Sequence, residues 1–123
     1  MCEEANEEDT VKEILRNIEK EYGFIPLVSK ILSERPDLFI PTAQLTAALF
    51  EGKGDLEKKV RYLNALSAAV AVGAEHSMMV QMQFAVKHGA TKNEIMETME
   101  IGAYMAMSHA QSYAFRKFKE MYP

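Results

Sequence analysis

Glu75, His76 and Ser77 stand in a row within AVGAEHSMMVQ (residues 71–81), among Ala, Val, Gly and Met. An imidazole beside a carboxylate and a hydroxyl can move a proton or hydrogen-bond a small polar ligand. On a helix His76 shares its face with Met79 and Val80, and Ser77 shares one with Gln81. The plain alternatives are structural. Glu75 would complement the positive end of a helix dipole, and His76 would be a hydrogen-bonded packing residue. A serine hydrolase is disfavoured, because its hydroxyl needs an oriented base and the chain has no G-x-S-x-G elbow.

The other two histidines differ in setting. His88 precedes Gly89, where a cationic side chain suits the negative end of a helix. His109, in AMSHAQSYA (106–114), is expected beside closely packed helices and within reach of His76 across the core. Two histidines and a carboxylate can bind zinc, but adjacent residues on a helix point about 100° apart. Glu75 and His76 therefore do not converge on one ion. No metal is expected, and no cofactor is called for.

The elements that would carry these residues read as helices throughout. Thr10-Val-Lys-Glu13 has the form of a capping box, predicting a helix start there, with Val11, Ile14, Leu15, Ile18 and Tyr22 on one face and a stop at Gly23. Pro26 and Pro36 suit the first turns of two further helices, the second bent or restarted at Pro41. EGKGD (51–55) is the clearest linker, and Asp55 is placed to cap a helix to about Gly73 with Val60, Leu63, Leu66, Ala69 and Val70 inward. A helix from Glu75 to His88 follows, stopping at Gly89.

Thr91-Lys-Asn-Glu94 is a second capping box, opening a helix that runs, with one interruption, to about Tyr122. Gly102, Ala106, Ala110 and Ala114 recur along it every four residues, a stripe that admits another helix closely. No alternating strand pattern occurs, so the fold is expected to be all-α, a single-domain bundle of about six to seven helices over residues 10–123.

Composition narrows the class. At 123 residues and 48% hydrophobic content the chain can build one core. Its formal charge of −4 is concentrated at the start, where Glu3, Glu4, Glu7, Glu8 and Asp9 form an acidic segment expected to be mobile. Without those five of the 18 acidic residues, 13 stand against 14 Lys and Arg, so the rest is near neutral. Neither a nucleic-acid surface nor a membrane span is indicated. The single cysteine, Cys2, excludes an intrachain disulfide, and a reducing, cytoplasmic setting is expected.

Three stretches together resemble one family: YGFIPLVSKILSERPDLF (22–39), LEKKVRYLNALSAAVAVGAEHS (56–77) and AVKHGATKNEIMETMEIGAYMAMSHA (85–110). They are similar to the carboxymuconolactone decarboxylase family, whose redox branch is the alkylhydroperoxidase D type. The last stretch is the most specific, with a glycine, a small residue, a capping box and an E-I pair in succession. The resemblance implies an alkylhydroperoxidase D-like helical fold and assembly into trimers, hexamers or related homo-oligomers.

The redox branch carries a Glu, eleven residues, a C-x-x-C pair, three residues and a His, some members adding a His just before the second Cys. Setting Arg61 and Gly89 against their family positions places Tyr62 at the Glu, Ala74 and Ser77 at the cysteines, and Gln81 at the final His. Only His76 matches, at the His before the second Cys. Peroxide reduction in the family needs a low-pKa thiolate and a resolving thiol, which Ser cannot replace. The decarboxylase branch also lacks the cysteine pair, but its proton-transfer His falls at Gln81.

Three readings follow. In the first the chain is a non-redox, lyase-like enzyme or a small-ligand-binding protein, with His76 catalytic and Tyr62, Glu75, Ser77, Gln81 and His109 contacting a small polar ligand. In the second it is an inactive scaffold, assembling with itself or with a redox-competent paralogue. A third keeps peroxiredoxin-type chemistry through Cys2, although a thiol in an exposed acidic segment lacks both activation and a resolving partner. The nine methionines supply adaptable apolar surface for a homo-oligomeric contact.

Overall fold

A computed structural model describes the backbone of residues 2–123 and the side chains of residues 6–123. Six helices run in the order α1 (Cys2–Tyr22), α2 (Leu27–Leu32), α3 (Pro36–Phe50), α4 (Lys58–Val72), α5 (Glu75–Lys87) and α6 (Lys92–Met121), with no strand among the described residues. The chain is all-α, as its periodicity indicates. It divides into two compact units, residues 1–53 and 54–123, at the glycine-bearing loop 51–55.

In the first unit α3 packs against both α1 and α2. The inward stripe of α1 is as its spacing predicts: Val11 is buried and Ile14, Leu15, Ile18 and Tyr22 are half-buried. Its start is not. α1 begins at Cys2, and Thr10 lies inside it, its hydroxyl donating to the Asn6 carbonyl at 2.7 Å. A mid-helix Thr can satisfy its hydroxyl on the carbonyl four residues back, so a capping-box pattern alone does not define a start. The expectation of a mobile segment falls partly on residues outside those described, and the Cys2 side chain lies outside them altogether. Pro36 opens α3, and Pro41 sits within its first turns without ending it.

In the second unit α4 is the central element, packed against α5 and α6. It starts at Lys58 with Glu57 as N-cap, slightly later than an Asp55 cap would place it. Tyr62, Leu66 and Ala69 are its buried side chains, and Leu66 has no exposed surface. Spacings of four and three put them on one face. The capping box at α6 is real: the Thr91 hydroxyl accepts from the Glu94 amide at 3.1 Å, and a Glu94 carboxylate oxygen accepts from the Thr91 amide at 2.9 Å. Glu94 also meets Lys59 at 2.9 Å, tying the first turn of α6 to that of α4.

The small-residue stripe divides in two. Gly102 is buried, and a Cβ built on it would sit 2.3 Å from the Ser67 carbonyl oxygen of α4. Ala106 is half-buried, whereas Ala110 and Ala114 are exposed. Beyond Ala106 every residue of α6 is exposed, and the helix runs to Met121 without interruption. No helix of the described residues is long and apolar enough to cross a membrane.

Candidate functional site

The turn between α4 and α5 fixes the Glu75-His76-Ser77 trio. Gly73 takes φ 73°, a left-handed conformation that costs a glycine little, and ends α4. The Ala74 amide donates to the Ala69 carbonyl at 2.9 Å and the Gly73 amide to Val70 at 3.2 Å, the paired bonds of a Schellman motif. Ala74 is at once the last residue of that motif and the N-cap of α5. Glu75, His76 and Ser77 are consequently the first three helical residues, at the end where backbone amides give a positive partial charge.

Glu75, His76 and Met79, all exposed, line an open surface depression of about 430 Å³. Met79 joins them because it lies three residues after His76, the spacing that aligns side chains along a helix. Ala74 offers no side-chain acceptor to the amides of the first turn. A helix start of this kind favours an anionic group.

The remaining candidates lie elsewhere. Tyr62 is buried, stacked on Phe84 with ring centroids 5.2 Å apart and against His88 at 4.9 Å. Phe84 is eight residues beyond His76, about 12 Å along the helix axis. Tyr62 thus packs at the far end of α5, in the α4–α5 contact. His88 closes that end: its Nδ1 donates to the Phe84 carbonyl at 2.9 Å, the carbonyl fixing the tautomer. The ring caps α5 as expected, and the Tyr62 stack adds a packing role that spacing along one helix does not reveal.

Gln81 lies midway along α5, its Oε1 buried with no hydrogen-bond partner. Ser77 is exposed one turn before it. His109 is not in a core with His76. It projects from the exposed length of α6 and meets Tyr113 edge-on at 5.2 Å. The expected contact fails because α4 covers α6 only as far as Ala106, before His109 is reached. Among the described residues no group of three or more His, Cys, Asp or Glu is placed to hold a metal ion.

Residues 36–120 match the family model of the carboxymuconolactone decarboxylase family. That span is about two thirds of the chain, and the chain belongs to this family. Its one cysteine is not a redox pair. No curated protein and no solved structure is significantly similar to it.

Proposed function

We propose that this member of the carboxymuconolactone decarboxylase family works without thiol chemistry, as a non-redox enzyme or small-ligand-binding protein acting at the start of α5. The observation that carries the reading is the pairing of Glu75 and His76 on one open surface depression, at a helix start with no side-chain cap. His76 is the group that transfers a proton to the ligand or hydrogen-bonds it. Ser77 extends the polar surface, and the α5 amides favour a carboxylate. Tyr62, Gln81 and His109 are not among the residues lining that depression, which narrows the contact set to the helix start.

Thermal stabilisation and turnover with small lactones and carboxylates test this. A ligand at one hundred times its Kd adds about 2.7 kcal/mol to stability, enough for a clear shift in Tm. His76→Ala should lose both responses while keeping the unliganded Tm of the native protein, because His76 is exposed. An unchanged response in that variant overturns the role given to His76. Peroxidase activity that disappears in Cys2→Ser would overturn the non-thiol reading itself.

A second reading, self-assembly, has its own observation. Along α6 the side chains of Tyr104, Met105, Tyr113, Phe115, Phe118 and Met121 are each more than half exposed. So much apolar surface on one helix marks an interaction site. A homo-oligomer is the reading it supports, with or without catalysis, and a C-x-x-C-bearing paralogue is the alternative partner. Light scattering that gave the 13.9 kDa monomer at micromolar concentration would refute self-assembly.

A further inference from the structure

The start of α5 sets two soft-metal donors side by side. His76 and Met79 are three residues apart on one helix face, so an imidazole and a thioether stand with Cβ atoms about 5–6 Å apart. Met79 is 63% exposed, so packing against α4 does not account for its place.

Glu75 lies on the other side of the sulfur. It precedes Met79 by four residues, which puts Met79 between the other two around the helix, about 40° from Glu75 and about 60° from His76. Glu75 and His76 diverge too far to ligate one ion together. The Glu75 carboxylate nevertheless lines the same depression and supplies negative charge beside it.

We infer that His76 and Met79 hold a soft monovalent cation, Cu(I), with the Glu75 carboxylate balancing its charge. Thioether sulfur selects Cu(I) over harder divalent ions, and imidazole is a copper ligand. Metal bonds of about 2.0 Å to nitrogen and about 2.3 Å to sulfur put the donor atoms roughly 4 Å apart, a span the two side chains close across one helical turn. Zinc fits less well, because it is held by thiolate, imidazole and carboxylate, and among the described residues no three His, Cys, Asp or Glu converge. The positive end of α5 opposes any cation, and Glu75 in its first turn offsets that field.

A second pair of the same donors provides a comparison within the chain. Met105 and His109 are four apart on α6 and both are exposed. No Asp or Glu occurs from Ile101 to Phe115 to balance a cation there, and the His109 ring already packs edge-on against Tyr113 at 5.2 Å. The α5 pair is therefore the stronger site. It shares His76 with the function proposed above but does not rest on it, since a cation over Met79 needs no carboxylate ligand.

Ag(I), a redox-inert soft monovalent ion, is the probe, added in chloride-free buffer to the full chain carrying Cys2→Ser and labelled at its methionine methyl carbons. The Cys2 substitution removes a thiolate that would outcompete a thioether. One equivalent should shift the Met79 methyl and His76 ring signals together, and Cu(I) kept reduced by ascorbate should shift the same signals. Met79→Leu and His76→Gln should each weaken binding about tenfold or more, while His109→Gln leaves it within about twofold. Both altered residues are exposed, so the unliganded Tm should not move. Binding unchanged in Met79→Leu, or lost only in His109→Gln, would overturn the site, as would Zn(II) binding as tightly as Ag(I). Met79→Leu leaves His76 and the α5 amides in place and should keep any stabilisation by small carboxylates. A chain that binds no Ag(I) but is stabilised by carboxylates would overturn this site alone, and the reverse result would overturn only the carboxylate reading.

Discussion

Gly102→Ala is the sharpest perturbation of the fold that carries the site. The added Cβ would lie 2.3 Å from the Ser67 carbonyl oxygen and 3.1 Å from its carbon, against 3.4 Å or more in ordinary contact. α4 and α6 must therefore separate by about 1 Å, because a carbonyl fixed in a helix cannot rotate aside as a side-chain tip can. Overpacking of this kind costs about 1–3 kcal/mol, and the obstacle being backbone places it toward the upper end. Replacing Gly by Ala in a helix returns up to about 1 kcal/mol. The expected net loss is about 1–2 kcal/mol, and Gly102→Val should lose more. Urea denaturation at fixed protein concentration measures it as a lower midpoint with an unchanged slope. Ala106→Gly, one turn on and half-buried, is the control and should lose about 1 kcal/mol from helix propensity. If Gly102→Ala matches or exceeds the native stability, the close approach of α4 and α6 at Ser67 is wrong.

Other outcomes follow from the same contacts. The backbone amide of Thr91 and the Lys59 ammonium hold the Glu94 carboxyl below its ordinary value of 4.5, so its stabilising contribution is complete above about pH 4.5 and is lost as pH falls through the lower folded value. Glu94→Gln keeps a capping-box side chain but not this titration, so its acid-unfolding curve should be flatter than the native one below pH 4.5. Tyr62→Ala removes a buried ring stacked on Phe84 and His88 and should cost about 3–5 kcal/mol in chemical denaturation. Ser77→Cys in a Cys2→Ser background puts a thiol in the first turn of α5. Its thiolate absorbance should rise at a pH below the roughly 8.5 of an unperturbed thiol, and a midpoint at or above that value would show that the helix start exerts no effective field.

How much of this was legible in the sequence depended on whether the information was local. The second capping box and the breaks at Gly23, Gly73 and Gly89 are set locally and appear where the sequence puts them, whereas of the expected inward set of α4 only Leu66 and Ala69 are buried, with Val60, Leu63 and Val70 half-buried and Tyr62 buried in addition. Thr10 misled because its pattern is equally compatible with a mid-helix hydroxyl bonded four residues back. Tyr62 was drawn into the site by its correspondence to a family position, although its spacing from Leu66 and Ala69 already marked it as core. His109 was misplaced because a small-residue stripe says that a helix can come close, not how far along the stripe it does so. α4 uses Gly102 and reaches Ala106, and nothing in the periodicity marks that end. Met79 is visible in the sequence on the His76 face, but only as one of the methionines that supply adaptable apolar surface.

The start of α5 shows why the chain need not be inert for lacking a thiol pair. The family correspondence puts the two cysteines at Ala74 and Ser77, which are the N-cap and third residue of α5. A helix start lowers a thiol pKa because the aligned amides stabilise negative charge. That field belongs to the backbone, through the Schellman turn at Gly73 and the helix it releases, and replacing Cys by Ala or Ser leaves it in place. Ala74 adds no oxygen that would occupy the first-turn amides, and Ser77 carries only a neutral hydroxyl. Relative to the redox branch, what the site lacks is a nucleophile, and what it has is the backbone field of a helix start, partly offset by the Glu75 carboxylate in its first turn, with His76 beside an open surface depression. The same physics that would have stabilised a thiolate then acts on whatever negative charge enters, which is the reason for expecting a carboxylate, or a lactone that opens to one, as the ligand.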